Sequence, residues 1–146
     1  MQWDPSAGEV YRAEWVIDGV LARSHRPGYP ANRPDREAIQ EWADAVLGMG
    51  IRSVVCVIDE AQLSQYERLG LDGGGLLGYY NTLGLAVEHV PAEDYQTPPL
   101  SAEQLDSVWR AFRRMDKPTL VHCSAGRDRT GAAVAHILSL LDGAAR

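Results

Sequence analysis

The run from Pro118 to Leu141 constrains this chain most, because an apolar strand-like segment, a short polar loop and an apolar helix-like segment follow one another without a break. Pro118-Thr119-Leu120-Val121-His122 has the length and apolar content of a buried strand, and Gly131 to Leu141 has the apolar density of a helix packed on a sheet. Between them one thiol, Cys123, and one guanidinium, Arg129, stand at the two ends of the loop Ser124-Ala125-Gly126-Arg127-Asp128. Curled into a bowl, such a loop converges its backbone N–H groups on three oxygens of a phosphate. Gly126 supplies a position without Cβ, where positive φ has no steric cost. A helix beginning near Arg129 brings the positive end of its dipole to the bowl floor. The same donors favour a thiolate over a thiol, and a planar guanidinium grips two phosphoryl oxygens as lysine does not. The loop reads as a phosphate-binding nucleophile site.

His122 to Gly131 resembles the His-Cys-x5-Arg-Thr-Gly signature of the cysteine-dependent protein tyrosine phosphatases, most closely the small dual-specificity branch. The resemblance implies Cys123 as nucleophile, Arg129 as phosphate clamp, and Ser124, Ala125, Gly126, Arg127 and Asp128 as the phosphate-binding loop. It gives Thr130 a hydroxyl for the departing Cys123 sulfur, with ordinary helix capping as the alternative, and makes His122 a support that orients the loop.

The family also uses an aspartate on a separate upstream loop to protonate the leaving oxygen. The segment from His89 to Pro99 fits: it follows an apolar strand-like stretch, precedes a helix, and places Asp94 29 residues before Cys123. Asp94 is the first candidate for general acid, and Glu93 is its neighbouring competitor. Gln96 either helps position the hydrolytic water or makes a loop hydrogen bond.

Asp128 departs from the commoner tyrosine phosphatase pattern, since it sets a carboxylate beside a site for a dianion. The order Arg-Asp-Arg-Thr resembles the Lys-Asp-Arg-Thr of bacterial and lipid phosphatases, which makes Asp128 the alternative acid. Otherwise it pairs with Arg127 or orients Arg129. Arg127 falls where a basic residue recognises further phosphates in the lipid-phosphatase branch, and this keeps phosphoinositides open as substrates.

At 146 residues the chain is expected to form one domain, residues 1–146, with a single substantial core. A net charge of −6 argues against general binding of nucleic acid or anionic membrane, so attraction for anions has to be local. Arg110, Arg113 and Arg114 read as a solvated helix face. Two cysteines make no disulfide framework, and Cys56 in Ile51 to Ile58 reads as a buried core thiol, with a reversible disulfide to Cys123 as the less favoured alternative. The N-terminus carries no signal-peptide pattern and the apolar run ending at Leu141 is too short to span a bilayer, so the cytoplasm is the expected compartment. His25, His89 and His136 lack a compelling ligand spacing, and neither a metal nor a cofactor is expected.

Elsewhere the chain alternates strand and helix signals. Val10 to Leu21 holds strand-like stretches around Trp15-Val16-Ile17 and turns at Asp18-Gly19. Leu21 to Pro27 resembles the family's early Leu-x-Arg-Ser segment, whose Arg and His are read as structural. Helices are expected over Asp35–Met49, Gln62–Leu69, Leu76–Leu83 and Ser101–Met115, the last opened by a Ser-x-x-Gln capping box; strands are expected over Ile51–Ile58 and Leu85–Val90. The pattern implies an α/β fold, a mainly parallel central sheet flanked by helices on both faces, as in protein tyrosine phosphatases, with the Cys123 loop at its C-terminal edge. The expected activity is metal-independent hydrolysis of phosphotyrosine, with phosphoserine and phosphothreonine, in a phosphorylated protein by a monomer. A phosphoinositide or inositol phosphate phosphatase is the alternative, and a silent phospho-binding module is less favoured. A thiol redox enzyme would need a resolving cysteine, and none follows Cys123.

Overall fold

A computed structural model describes residues 13–144. Along them run β1 (Glu14–Ile17), β2 (Leu21–Ser24), α1 (Arg36–Gly48), β3 (Ser53–Cys56), α2 (Glu60–Glu67), α3 (Leu76–Thr82), β4 (Ala86–His89), α4 (Ala102–Arg114), β5 (Thr119–His122) and α5 (Asp128–Ala144). The strands form one sheet in the order β1-β2-β5-β3-β4, antiparallel between β1 and β2 and parallel at every other pairing. Helices cover both faces, which is the α/β arrangement implied by the sequence. Val10 to Arg12, at the start of the first strand-like stretch, lie outside the described residues.

The period-two alternation of the inner strands divides the core. Ala22, Val54, Cys56, Ile58 and Leu120 face a cluster built with Ile39, Trp42, Ala43 and Val46 of α1 and with Tyr66, Leu76 and Tyr80. Their chain neighbours Leu21, Val55, Val57, Val121 and Cys123 face the opposite cluster with Val108, Ala111 and Phe112 of α4 and Ala133, Val134 and Ile137 of α5. Each aliphatic side chain fully buried in either layer contributes about 1.5–3 kcal/mol. The central strand β5 is buried on both sides and carries the nucleophile loop out of its C-terminal end. That end is the crevice where open parallel sheets bind ligands.

Two helices begin earlier than their apolar periodicity indicates, both at the site. α5 starts at Asp128 instead of Gly131, so Asp128, Arg129 and Thr130 form its first turn. α2 starts at Glu60 because Asp59 and Gln62 form a reciprocal capping box, with Gln62 N donating to Asp59 Oδ1 at 2.7 Å and Asp59 N donating to Gln62 Oε1 at 3.4 Å. Polar first turns are invisible to a search for apolar spacing. α4 opens with the Ser101–Gln104 box read from the sequence.

Candidate active site

Cys123 follows β5 directly and is 2% exposed. The loop beyond it turns at Gly126, which has φ +75° and leaves no room for a side chain: a Cβ there would lie 2.5 Å from the Ser24 carbonyl oxygen. This close approach moors the loop on the segment that leaves β2. Arg23 Nη2 donates to Gly126 O at 2.7 Å, Arg26 N donates to Ser124 O at 2.9 Å, and Arg26 Nε donates to Ser124 Oγ at 3.1 Å. Arg26 is itself buried and anchored by Ala31 O and the Tyr66 hydroxyl. Arg23 of β2 and Arg26 just beyond it therefore hold the loop in place.

His122 lies on the opposite face of the sheet from Cys123. Its Nδ1 is 3.1 Å from Cys123 O, and a carbonyl only accepts, so Nδ1 carries the hydrogen and Nε2 accepts from the Tyr80 hydroxyl at 2.7 Å. Burial pushes the His122 ring down to about 3 and His25 down to about 4, so both are neutral at physiological pH. Burial likewise raises Tyr80, which keeps its hydroxyl a donor. Trp42 stacks on Tyr80 at 5.2 Å and meets the edge of His122 at 5.9 Å, while its Nε1 donates to Ser24 Oγ and His25 O.

Arg129 is 1% exposed. Its Nη1 donates to Ala92 O at 2.6 Å and to Gln62 Oε1 at 3.1 Å. Its Nη2 is buried, makes no hydrogen bond, and lies 3.4 Å from Asp94 Oδ2. The structure thus brings the upstream acidic loop onto the nucleophile loop, and of the two adjacent carboxylates Asp94 is the one that reaches Arg129. Asp94 Oδ1 accepts from Tyr95 N at 3.1 Å, and Oδ2 accepts from Gln62 Nε2 at 3.3 Å. Glu93 is exposed and, together with Asp94 and Gln96, lines a cavity of about 670 Å³ beside Asp59, Glu60 and Gln104.

The acidic loop is braced from α4. Gln104 Nε2 donates to Pro91 O at 2.9 Å, and Gln96 donates to Gln104 Oε1 at 2.9 Å while accepting from Glu93 N at 3.2 Å. Gln96 has the loop hydrogen bonds that its sequence context suggested. A cleft of about 250 Å³ opens over Arg129 between Asp128 and the residues Tyr95, Gln96, Thr97 and Pro99. Tyr95 is 88% exposed and holds φ +63°, a conformation uncommon for a side chain of its size. Arg127 and Asp128 are exposed, and their side chains make no hydrogen bond or ion pair among the described residues. Thr130 Oγ1 is buried without a hydrogen-bond partner. Buried polar groups are rarely left unpaired, so Thr130 Oγ1 and Arg129 Nη2 mark where a polar ligand belongs. No three His, Cys, Asp or Glu side chains converge as metal ligands among the described residues.

Gln62 and Tyr80 are the site residues that motif reasoning did not find, whereas Arg23 and Arg26 lie in the Leu21–Pro27 segment that the sequence had marked. Of the two missed, Gln62 alone had a legible signal, the Asp-x-x-Gln spacing of a capping box.

A family model described as "Tc-R-P: Polymorphic toxin system, DSP-PTPase phosphatase" matches residues 31–143. Among solved structures the chain is similar to Tk-PTP in its active form, with 26% identity and a TM-score of 0.60 over 90% of this chain and 74% of that one. It is similar in fold to a mutant form of Tk-PTP, with 24% identity and a TM-score of 0.62 over 90% of this chain and 73% of that one. It also shares the fold of the core catalytic domain of the PP-IP phosphatase SIW14 from S. cerevisiae, solved with citrate, at 17% identity and a TM-score of 0.60 over 89% of this chain and 66% of that one. No curated protein matches the chain.

Proposed function

The chain belongs to the DSP-PTPase phosphatase family of polymorphic toxin systems and is a cysteine-dependent phosphatase, and from that premise we propose that it dephosphorylates phosphotyrosine, with phosphoserine and phosphothreonine, in proteins through a phosphocysteine at Cys123. One observation carries this reading: Asp94 Oδ2 stands 3.4 Å from Arg129 Nη2, so a candidate acid and a candidate phosphate clamp meet over the loop that holds the thiol.

In the first step Cys123 Sγ attacks phosphorus, the P–O ester bond breaks, and Asp94 gives its proton to the departing phenol or alcohol oxygen. In the second, water attacks the phosphocysteine, Asp94 takes the proton of that water, and the S–P bond breaks to release inorganic phosphate. Arg129 Nη1 is committed to Ala92 O and Gln62, which leaves the Nε–Nη2 edge for two phosphoryl oxygens. The amides from Ser124 to Asp128 hold the oxygens as charge redistributes. Thr130 Oγ1, buried without a partner, donates to the sulfur as it departs. His122 supports the loop through Cys123 O and leaves the chemistry to others. Asp94 is assigned the acid role because it reaches Arg129, whereas Asp128 is exposed at the rim and serves as the alternative. Tyr95 offers an exposed ring at the cleft mouth against which an aryl phosphate packs, which favours phosphotyrosine.

A second reading, an inositol phosphate or phosphoinositide substrate, draws on exposed Arg127, whose guanidinium at the loop rim is suited to a further phosphate. The deciding experiment is hydrolysis of p-nitrophenyl phosphate without metal by the wild type and Cys123→Ser, followed by ranking phosphotyrosine peptides against phosphoinositides. Loss of activity in the variant with preference for the peptides is the expected result. Retained activity in Cys123→Ser overturns cysteine catalysis, and preference for multiply phosphorylated rings selects the second reading. Turnover of none of the substrates selects the phospho-binding module.

A further inference from the structure

Gln62 stands outside every motif of the nucleophile loop and the acidic loop, yet it touches both. Its carboxamide oxygen accepts from Arg129 Nη1 at 3.1 Å and its nitrogen donates to Asp94 Oδ2 at 3.3 Å. The chemistry of the partners fixes this orientation. A guanidinium only donates and a carboxylate only accepts, so the side chain between them has to present one acceptor and one donor, and a neutral amide does so. The same oxygen accepts from Asp59 N at 3.4 Å in the capping box of α2, so the amide is carried by a helix terminus and not by a mobile loop.

We infer that Gln62 is a positioning residue for the proton transfer, holding the acid and the phosphate-binding arginine in one arrangement through its two amide atoms. The inference rests on Asp94 being the general acid. Asp94 Oδ1 accepts from Tyr95 N and Oδ2 from Gln62 Nε2, so these two contacts together set the direction of the carboxyl group. A protonated Oδ2 donates to the leaving oxygen while still accepting from Gln62 Nε2, so the amide contact survives the protonation change. Without the amide, Asp94 Oδ2 faces Arg129 Nη2 alone, and the carboxylate competes with the substrate phosphate for that nitrogen.

The test uses Gln62→Glu, which keeps an acceptor for Asp59 N and Arg129 but turns the donor toward Asp94 into a second carboxylate, and Gln62→Met, which keeps the length and helix propensity while removing both polar atoms. Steady-state kinetics are measured on aryl phosphates with leaving groups from good to poor, beside thermal melts, in the wild-type and Asp94→Asn backgrounds. The expected result is a kcat loss of about tenfold on phenols that leave poorly, under twofold on those that leave well, with KM in Gln62→Glu within about twofold of wild type. In the Asp94→Asn background neither Gln62 substitution adds a leaving-group-dependent loss. An equal loss across all leaving groups, or losses that add in full to that of Asp94→Asn, overturns the inference. If Asp94→Asn itself shows no leaving-group dependence, the acid assignment fails first; if it does and the Gln62 variants do not, only the role of Gln62 fails.

Discussion

A Cβ at Gly126 would sit 2.5 Å from the Ser24 carbonyl oxygen, at a residue already holding φ +75°. Gly126→Ala therefore forces the loop off its moorings on Arg23 and Arg26. The expected outcome is a loss of at least about tenfold in kcat/KM on p-nitrophenyl phosphate and a destabilisation of about 1–3 kcal/mol in urea unfolding. Arg129→Lys keeps the charge but loses the planar edge and the contact with Ala92 O, and kcat is expected to fall about 10²- to 10³-fold. His25 and His122 link residue chemistry to stability. Burial holds them near 4 and 3, below the 6.5 of an unfolded histidine, so between those values the unfolded chain binds more protons than the folded one. Stability then rises with pH through that window and is lost as pH falls from about 6.5, by about 1.4 kcal/mol per pH unit for each histidine. Urea unfolding at pH 7 and pH 5 measures this directly, and removing the His122 ring with His122→Asn is expected to reduce the slope by about half.

Elements set which of these residues meet. Cys56 of β3 pairs in register with His122 of β5, yet alternation sends its side chain into the α1 layer, whereas Cys123 belongs to the α4 and α5 layer. Burial pushes the Cys56 thiol up to about 12, so it supplies no thiolate for disulfide exchange. Mass spectrometry after mild peroxide is expected to find sulfenic or sulfinic Cys123 and no Cys56–Cys123 disulfide. The two capping boxes show how an element end serves a loop. Gln62 at the start of α2 and Gln104 at the start of α4 each close a helix terminus and also hold the acidic loop, one at Asp94 and the other at Pro91 O. Asp59→Ala is expected to cost about 1 kcal/mol of stability through the lost cap, read by urea unfolding, and to lower kcat on poor leaving groups because Gln62 loses its support.

For the whole molecule, the placement of β5 between β2 and β3 is what assembles the site. Loops leaving the C-terminal ends of β2, β4 and β5 come together there, and the helix that follows β3 adds Gln62. The chain carries a net charge of −6 yet binds an anion by this reading, which requires attraction confined to the crevice, where buried Arg129 and the loop amides face the substrate. Catalysis by a thiol and a carboxylate needs no metal, so activity on p-nitrophenyl phosphate is expected to stay within about twofold in excess EDTA. No helix among the described residues is long and apolar enough to cross a membrane. By itself the sequence determined the α/β alternation and the strand-loop-helix unit around Cys123, because these depend on apolar spacing and on residues close along the chain, while the expected partnership of that unit with a loop holding Asp94 followed from the resemblance to the phosphatase signature. Tertiary structure alone decided between Glu93 and Asp94 at Arg129, the mooring of Gly126 on Arg23 and Ser24, the link from His122 to Tyr80 and the double contact of Gln62. Each of these joins residues distant in sequence whose side chains show no periodicity, and it is the strand order and the register between neighbours that bring them within hydrogen-bond reach.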